Sequence, residues 1–348
     1  MRIFRTTAVL TAAALLATGL AACGSGGNDT GGDGNGTTLT IYSGRNESLI
    51  GPLIEQFTEE TGIKVEVRYG NTAQMAAQLL EEGDRSPAHV FLAQDAGALG
   101  AVAKAGLFAT LPDEILSLVP AQYRAANGQW IGVTGRSRVL AYDSQSLDPT
   151  DLPDSVFDLT APEWRGRVGI APTNASFQAF VTAMRVQHGD ERARQWLADL
   201  SANDPQIRDN NVQIVADIDE GRLAVGLVNH YYVFERANEL GVDVDDLRVR
   251  LHFFPSGDTG ALVNVSGVGL LASAADNPNA RRFIEYLLSP AGQRYFAEQT
   301  YEYPLIEGVA LDPALPPLDE LEAPDIDLND LDTLAATIEM IQQSGLTT

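Results

Sequence analysis

The stretch Leu227-Val228-Asn229-His230-Tyr231-Tyr232-Val233-Phe234 places two adjacent tyrosines where the spacing of the apolar residues changes. Before it, the run from Leu223 to Val228 is short and apolar, which is typical of a buried strand. After it, residues 233–240 have helical spacing, and Gly241 provides a stop. The sequence therefore predicts a strand-to-helix corner with both tyrosines at the turn.

Two phenols at such a corner can face one target, whereas neighbouring side chains inside a strand point to opposite faces. In open α/β sheets, ligands bind beyond the carboxyl ends of the strands. A phenolate oxygen is a hard donor that suits a highly charged cation, and binding at neutral pH displaces protons from groups that titrate near pH ~10. The alternative is an aromatic pair half-buried against the core, and the pair alone leaves both interpretations open.

The charge balance of the chain restricts its partners. Its 348 residues include 23 basic and 47 acidic side chains, a net charge of −24. Binding to nucleic acid or to an anionic membrane surface needs Lys and Arg, so neither is expected as a partner. This length is sufficient for two α/β lobes, and the charge is typical of a soluble extracytoplasmic protein or of one that handles cations.

The N-terminus has the features of an export signal. Arg2 and Arg5 precede an apolar segment, 8–22, that is too short to span a bilayer. The segment ends in Leu20-Ala21-Ala22-Cys23, which resembles a bacterial lipobox. We therefore expect residues 1–22 to be a signal peptide and Cys23 to be lipidated, for example with palmitate, on the extracytoplasmic face of the cell membrane. Residues 23–37 would form the lipidated cysteine and a flexible tether. An ordinary secretory signal with an incidental cysteine is the alternative.

Strands and helices alternate along the rest of the chain. Strands are predicted at 39–42, 63–69, 90–92 and 168–170. Helices are predicted at about 49–61, 95–105, 177–187 and 191–200, and one more helix is predicted to begin after Asn71 as its cap. Further helices are predicted at 278–288, 290–299 and 334–343. Two long extended runs, 132–142 and 261–271, link the two α/β units, and the first is expected to be interrupted at 135–138. The predicted fold class is therefore α/β, with two lobes joined by a two-strand hinge. The predicted N-lobe comprises residues 38–137 with 262–312, and the C-lobe 138–261 with 313–345.

The chain resembles the ferric-iron-binding substrate-binding proteins of bacterial ABC transporters, also called bacterial transferrins. The landmarks span nearly the whole mature chain and keep the order of the family. They are Thr40-Ile41-Tyr42-Ser43-Gly44, residues 59–65, residues 80–88, Gly135-Arg136-Ser137-Arg138, Arg165-Gly166-Arg167-Val168-Gly169, Asn229-His230-Tyr231-Tyr232, Gly260-Ala261-Leu262-Val263 and Glu302-Tyr303-Pro304-Leu305. The resemblance implies a type II-like periplasmic-binding-protein fold that closes over Fe(III).

The resemblance also implies a set of site residues. Tyr231 and Tyr232 match the phenolate ligands of the family. A synergistic anion, carbonate or phosphate, would be held by residues that match the anion-binding positions: Asn174, Ala175, Ser176, Asn210 and Asn229, with Arg138 or its neighbour Arg136 supplying a guanidinium.

The predicted first lobe departs from the pattern of the family. Asn46 and Gln94 stand where some members have histidine and glutamate ligands, and neutral amides are poorer donors for Fe(III). Glu47 and Asp95 lie one position further along and could substitute, or they could be solvated surface acids. The tyrosines with an anion and waters could also suffice.

The function implied by the resemblance is an extracytoplasmic lipoprotein that delivers Fe(III) to an ABC permease. We expect a monomer, with contact to the membrane only through the lipid anchor. An enzyme is not expected, because the sequence contains no catalytic constellation such as a phosphate loop, nucleophile elbow or Cys/His pair. The alternative is a substrate-binding protein on the same scaffold for a small organic or phosphonate ligand.

Overall fold

The computed structural model describes residues 38–255, 257–321 and 323–347. The predicted signal peptide, Cys23 and the tether therefore lie outside the described residues. The strands are β1 (Leu39–Ser43), β2 (Val65–Tyr69), β3 (Val90–Ala93), β4 (Ile131–Asp143), β5 (Val168–Ile170), β6 (Gln206–Ile207), β7 (Val225–Asn229), β8 (Val249–His252), β9 (Val263–Leu270) and β10 (Tyr303–Pro304).

Eleven α-helices connect and pack on these strands in the described residues. They are α1 (Glu47–Thr61), α2 (Thr72–Glu82), α3 (Ala96–Lys104), α4 (Asp113–Leu116), α5 (Ala175–His188), α6 (Asp190–Ala202), α7 (Asn211–Asp219), α8 (Tyr231–Leu240), α9 (Pro278–Leu287), α10 (Pro290–Gln299) and α11 (Leu334–Gln343). In the described ranges, no helix is both long enough and apolar enough to cross a membrane.

The first lobe is built on β1, β2 and β3, which are parallel, as the alternation of strands and helices predicts. Helix α2, which links β2 to β3, and helix α3, which follows β3, begin at side-chain caps, whereas α1 begins without one. Asn71 accepts a hydrogen bond from the Ala73 amide at 2.9 Å, and Asp95 accepts one from the Ala98 amide at 2.9 Å. The sheet is nevertheless mixed, because β9 pairs antiparallel with β3 and with β4.

The second lobe places the tyrosine corner at the end of a buried strand. Strands β5, β6 and β7 are parallel, and β7 also pairs antiparallel with β4. Every residue of β7 is buried, which fits its unbroken apolar run. Helix α8 then begins at Tyr231 and ends at Leu240. Gly241 follows with a φ of 67°, the left-handed value expected of a glycine stop. The predicted strand-to-helix corner is confirmed.

Strand β4 runs through both lobes and changes its partners midway. Residues up to Ser137 pair with β9, and residues from Arg138 onward pair with β7. The predicted interruption at 135–138 is wrong: β4 is a continuous strand of 13 residues. Its irregularity lies earlier, as a register shift between Gly132 and Thr134. Glycine and charge at 135–138 suggested a break, but these residues are paired and buried on both sides.

The C-terminal stretch contacts both lobes rather than only the second. Helix α11 packs on α5, where the hydroxyls of Thr182 and Thr337 lie 2.7 Å apart. The preceding turn lies on α3 of the first lobe. There Lys104 pairs with Asp332 at 2.9 Å, and a Cβ at Gly97 would come within 2.5 Å of the Leu331 carbonyl oxygen. The contacts of residues 313–345 are therefore divided between α5 and α3.

Candidate metal centre

The two tyrosines are buried side by side at the amino end of α8. Tyr231 is 0% exposed and Tyr232 is 3% exposed. Their ring centroids lie 4.3 Å apart with the planes tilted by 33°. Leu49, from α1 of the first lobe, belongs to the same buried cluster. The pair thus sits where the two lobes meet.

Several buried polar atoms at this corner find no hydrogen-bond partner within the part of the chain that the structure describes. They are the Tyr231 hydroxyl, Arg136 Nε and Nη1, Arg138 Nε, Asn211 Oδ1 and Glu235 Oε1. Buried polar groups in folded proteins are nearly always paired, because an unpaired one costs about 1–3 kcal/mol. Burial, with Tyr231 and Glu235 nearby, also raises the pKa of Tyr232 well above 10. Such a concentration of unpaired groups is typical of a ligand site.

Arg136 and Arg138 supply buried positive charge on β4, and Arg138 interacts electrostatically with both tyrosines. Alternate residues of a strand share a face, so both guanidinium groups project from the same side of β4. Arg138 donates from Nη1 to Ser176 Oγ at 3.1 Å and from Nη2 to the Leu227 carbonyl at 2.7 Å. Burial, together with the charge of Arg136, lowers the pKa of Arg138 to about 9. A buried guanidinium without a carboxylate partner favours an added anion.

The amino end of α5 brings the predicted anion loop to Arg138. Asn174 caps the helix by accepting from the Ser176 amide at 2.9 Å and from the Ser176 hydroxyl at 2.8 Å. Ala175 is the first residue of the helix. Asn229, at the end of β7, lies with its Oδ1 3.5 Å from Arg138 Nη1. These residues therefore lie together with Arg138, at a helix terminus that favours anions.

Asn210 does not join this group. Its side chain caps α7 by accepting from the Gln213 amide at 2.9 Å. The next residue, Asn211, is buried and donates from Nδ2 to Ser176 Oγ at 3.0 Å. Asn211 rather than Asn210 is therefore the asparagine of this loop that contacts Ser176.

The four candidates from the first lobe are placed differently from one another. Asn46 and Glu47 are exposed at the start of α1, and Gln94 is half-buried after β3. Asp95 is buried, and its carboxylate is occupied in capping α3. Burial raises the pKa of Asp95. The structure brings none of these four into a hydrogen bond with Tyr231 or Tyr232 among the interactions of the described residues.

A buried ion pair that no motif predicted lies next to the tyrosines. Arg45 donates to both carboxylate oxygens of Glu302, at 2.7 and 2.6 Å, and Thr134 and Thr300 also donate to that carboxylate. Burial alone would lower the pKa of Arg45, but the charge and hydrogen bonds of Glu302 outweigh burial and raise that pKa. Burial alone would raise the pKa of Glu302, but Arg45 outweighs burial and lowers that pKa. Arg136 Nε lies 3.9 Å from the same carboxylate. The sequence offered one signal for this pair, which is that Glu302 begins the landmark Glu302-Tyr303-Pro304-Leu305.

His230, between Asn229 and the tyrosines, is held by the backbone. Its Nδ1 accepts from the Ser137 amide at 3.1 Å, so its Nε2–H donates to the Tyr301 carbonyl at 2.7 Å. Burial lowers the pKa of His230 to about 4. A neutral histidine with both ring nitrogens engaged positions the corner and leaves no lone pair for a metal. Within residues 38–255, 257–321 and 323–347, no three His, Cys, Asp or Glu side chains are grouped to hold a metal ion.

Comparison with known proteins identifies the family. The protein-family model for bacterial extracellular solute-binding proteins matches residues 86–329 of this chain. The Fe(3+)-binding periplasmic protein of Serratia marcescens is 35% identical over 309 residues, which cover 88% of this chain and 90% of that protein. The chain belongs to the family of bacterial extracellular solute-binding proteins. The major ferric iron-binding protein of Neisseria meningitidis serogroup B, another relative, is 33% identical over 313 residues, covering 88% of this chain and 93% of its own.

Solved structures support the same family and confirm the predicted two-lobed fold. Iron-bound HitA from Pseudomonas aeruginosa has a TM-score of 0.84 and 38% identity, covering 88% of this chain and 99% of HitA. Apo ferric ion-binding protein A from Pasteurella haemolytica has a TM-score of 0.80 and 27% identity, covering 89% and 98%. These relatives are named for binding and not for catalysis, so the family is one of binding proteins rather than enzymes.

Proposed function

We propose that this protein binds Fe(III) through the phenolate oxygens of Tyr231 and Tyr232 and delivers it to an ABC permease for iron uptake. The observation that carries the proposal is the buried hydroxyl of Tyr231, which has no partner among the described residues although its ring is fully packed. Packing alone would be served equally by phenylalanine. A hard trivalent cation would satisfy both phenol oxygens and favour their ionised form.

A synergistic anion, carbonate or phosphate, is the second part of the proposal. Arg138 and Ser176 would hold it at the amino end of α5, with Asn174 and Ala175 forming the loop and Asn229 at its side. Asn211 replaces Asn210 in this role because Asn211 is the residue that contacts Ser176. The unpaired Arg138 Nε and the helix terminus both favour a bound anion.

The lobes would close over the metal by bending where β4 changes partners, between Ser137 and Arg138, and at the adjacent Leu262. The Leu262 carbonyl accepts from the Arg138 amide at 2.8 Å, so the two crossings touch there. This supports lobe boundaries at 137/138 and 261/262. Release to the permease would then follow reopening of the same two crossings.

The chain would work as a monomeric lipoprotein, held by acyl groups on Cys23 to the outer face of the cell membrane. The lipobox and the glycine-rich segment that follows it support this part of the proposal. A net charge of −24 would disfavour adsorption to anionic lipid, so the anchor would be the only membrane contact.

Adding Fe(III) to the purified protein in the presence of carbonate or phosphate tests the function. Iron bound to tyrosinate gives a visible charge-transfer band, whereas a bound organic or phosphonate ligand gives none. We expect the band to saturate at one Fe(III) per chain. Absence of the band, together with tight binding of an organic acid, would instead favour the alternative ligand class.

A further inference from the structure

Glu235 is a partly buried residue with one fully buried carboxylate oxygen, Oε1, for which neither the fold nor the proposed anion loop provides a role. It lies on α8, three residues after Tyr232 and four after Tyr231. Residues at these spacings are neighbours on one face of a helix, and helical side chains lean back over the preceding turn. The carboxylate of Glu235 is therefore directed toward the two phenols.

Arg45 is the cation that acts electrostatically on Glu235, but its own hydrogen bonds go to another carboxylate. Both terminal nitrogens of Arg45 are engaged by Glu302, at 2.7 and 2.6 Å. Glu235 Oε1 is buried and has no hydrogen-bond partner in the described ranges, although Glu235 acts electrostatically on Tyr232 and is acted on by Arg45 and Glu302. Glu235 thus lies between the tyrosines and a completed ion pair, with one oxygen free.

We propose that Glu235 supplies a carboxylate oxygen to the Fe(III) held by Tyr231 and Tyr232. This rests on the proposed function, and it adds a ligand from the second lobe that the resemblance to known proteins did not indicate. The donor set would then be two phenolates and one carboxylate from a single helix turn, completed by the anion or water. It would supply the hard anionic oxygen that Gln94, a neutral amide, lacks.

Glu235→Gln tests the assignment, because it keeps the size of the side chain and removes the anionic oxygen. Glu239→Gln is the matched control, since Glu239 lies one turn further along α8 with its side chain 61% exposed. Iron-loaded proteins are titrated with citrate, and the visible band and the high-spin Fe(III) electron paramagnetic resonance spectrum are recorded. We expect Glu235→Gln to release iron at about tenfold lower citrate, with a shifted band and a changed spectrum, and Glu235→Asp to recover part of the loss.

The outcomes separate this assignment from the function itself. If the unchanged protein shows no band, the proposed function fails. If it shows the band and Glu235→Gln matches Glu239→Gln in citrate resistance and in both spectra, only the role of Glu235 is overturned. Glu235→Leu, which fills the volume without a polar group, gives the same comparison should the glutamine variant fold poorly.

Discussion

Tyr231 and Tyr232 combine aromatic packing with unmet hydrogen-bonding capacity. Their rings pack at 4.3 Å and are almost fully buried, as expected of a core pair. The Tyr231 hydroxyl nevertheless has no partner in the described part of the chain, which a core tyrosine would normally have. The two interpretations of the pair are therefore compatible: packing fixes the rings, and the oxygens remain available to a ligand.

Arg138 allows a test of the anion at the level of one side chain. Arg138→Lys keeps the positive charge but loses the fork that reaches both Ser176 and the Leu227 carbonyl. Since a charge-assisted hydrogen bond contributes about 1.5–3 kcal/mol, we expect iron retention to fall about tenfold or more when the anion is limiting. The loss should shrink as carbonate or phosphate is raised, as measured by citrate competition.

Arg136→Lys is the matched control for this prediction. Arg136 lies on the same face of β4 and is similarly buried. Its Nε lies 3.9 Å from the Glu302 carboxylate, whereas Arg138 donates to Ser176. It should show a smaller dependence on anion concentration. Equal retention by the parent and Arg138→Lys at every anion concentration would place the anion elsewhere.

Residue-level prediction from sequence succeeded where a local pattern defines the position. The tyrosine corner follows from a change in periodicity. Asn174 was named from the resemblance to the family, and the structure places it as the cap of α5. The contact of Asn211 with Ser176 was not predicted because α7 was not recognised. Asn210 is nevertheless a good cap, and Ile214, Val215 and Ile218 are spaced for one buried face. With that helix in place, Asn210 is assigned to the cap and Asn211 to the first turn.

At the scale of elements, β4 determines how the site is assembled. It pairs with strands of both lobes and carries Arg136 and Arg138 at the change of partners. Its far end is fixed by Asp143, whose carboxylate accepts from Nε and Nη2 of Arg248 at 2.5 Å each. This ion pair joins the end of β4 to the residue before β8, which pairs with it.

Asp143→Asn should lower the free energy of unfolding at pH 7 by about 1–2 kcal/mol, since Asp143 is buried and Arg248 is partly so. Burial raises the pKa of Asp143, but Arg248 outweighs it and lowers the pKa to about 2. Because the folded pKa is below the unfolded one, the stabilisation is present above about pH 4 and is lost as the pH falls toward 2.

Denaturant unfolding at a series of pH values measures this difference, with Asp151→Asn as the control because Asp151 is exposed. The gap between parent and Asp143→Asn should be widest at neutral pH and close in acid, while the control follows the parent throughout. A gap that stays constant from pH 7 to pH 3 would show that the carboxylate charge is not the cause.

For most helices and the parallel strands, periodicity and caps were enough for prediction, and α10 and α11 match their predicted limits. Strands β8 and β10 were not predicted, because they are four and two residues long and lack a distinct alternation. The break expected in β4 was wrong for a different reason. Gly and Arg are poor strand formers locally, but pairing on both sides of β4 overrides that preference.

At the scale of the whole molecule, the site depends on contacts between residues far apart in the chain. Arg45 and Glu302 are separated by 257 positions and still form the buried ion pair beside the tyrosines. No sequence pattern pairs two such residues, so this part of the site required the fold. The two-lobed architecture itself was predictable, because two α/β units linked by two extended runs have few other solutions.

Cys23→Ser tests how the whole protein is located. Thioether lipidation requires the cysteine sulfur, so the variant should be released from the membrane or remain as an unprocessed precursor. Fractionation of cells and the mass of the mature N-terminus distinguish these outcomes. Ser25→Ala leaves the cysteine intact and serves as the control. Equal processing and membrane retention of Cys23→Ser would contradict the lipid anchor.

Resonance Raman spectroscopy of the iron-loaded protein tests the central claim most directly, because excitation within the visible band enhances only the vibrations of groups bound to the metal. Phenolate ring modes should dominate the spectrum of the parent. They should weaken in Tyr231→Phe and in Tyr232→Phe, each of which keeps the ring packing and removes one oxygen. A parent spectrum without phenolate modes, or one unchanged in both variants, would contradict iron binding by these tyrosines.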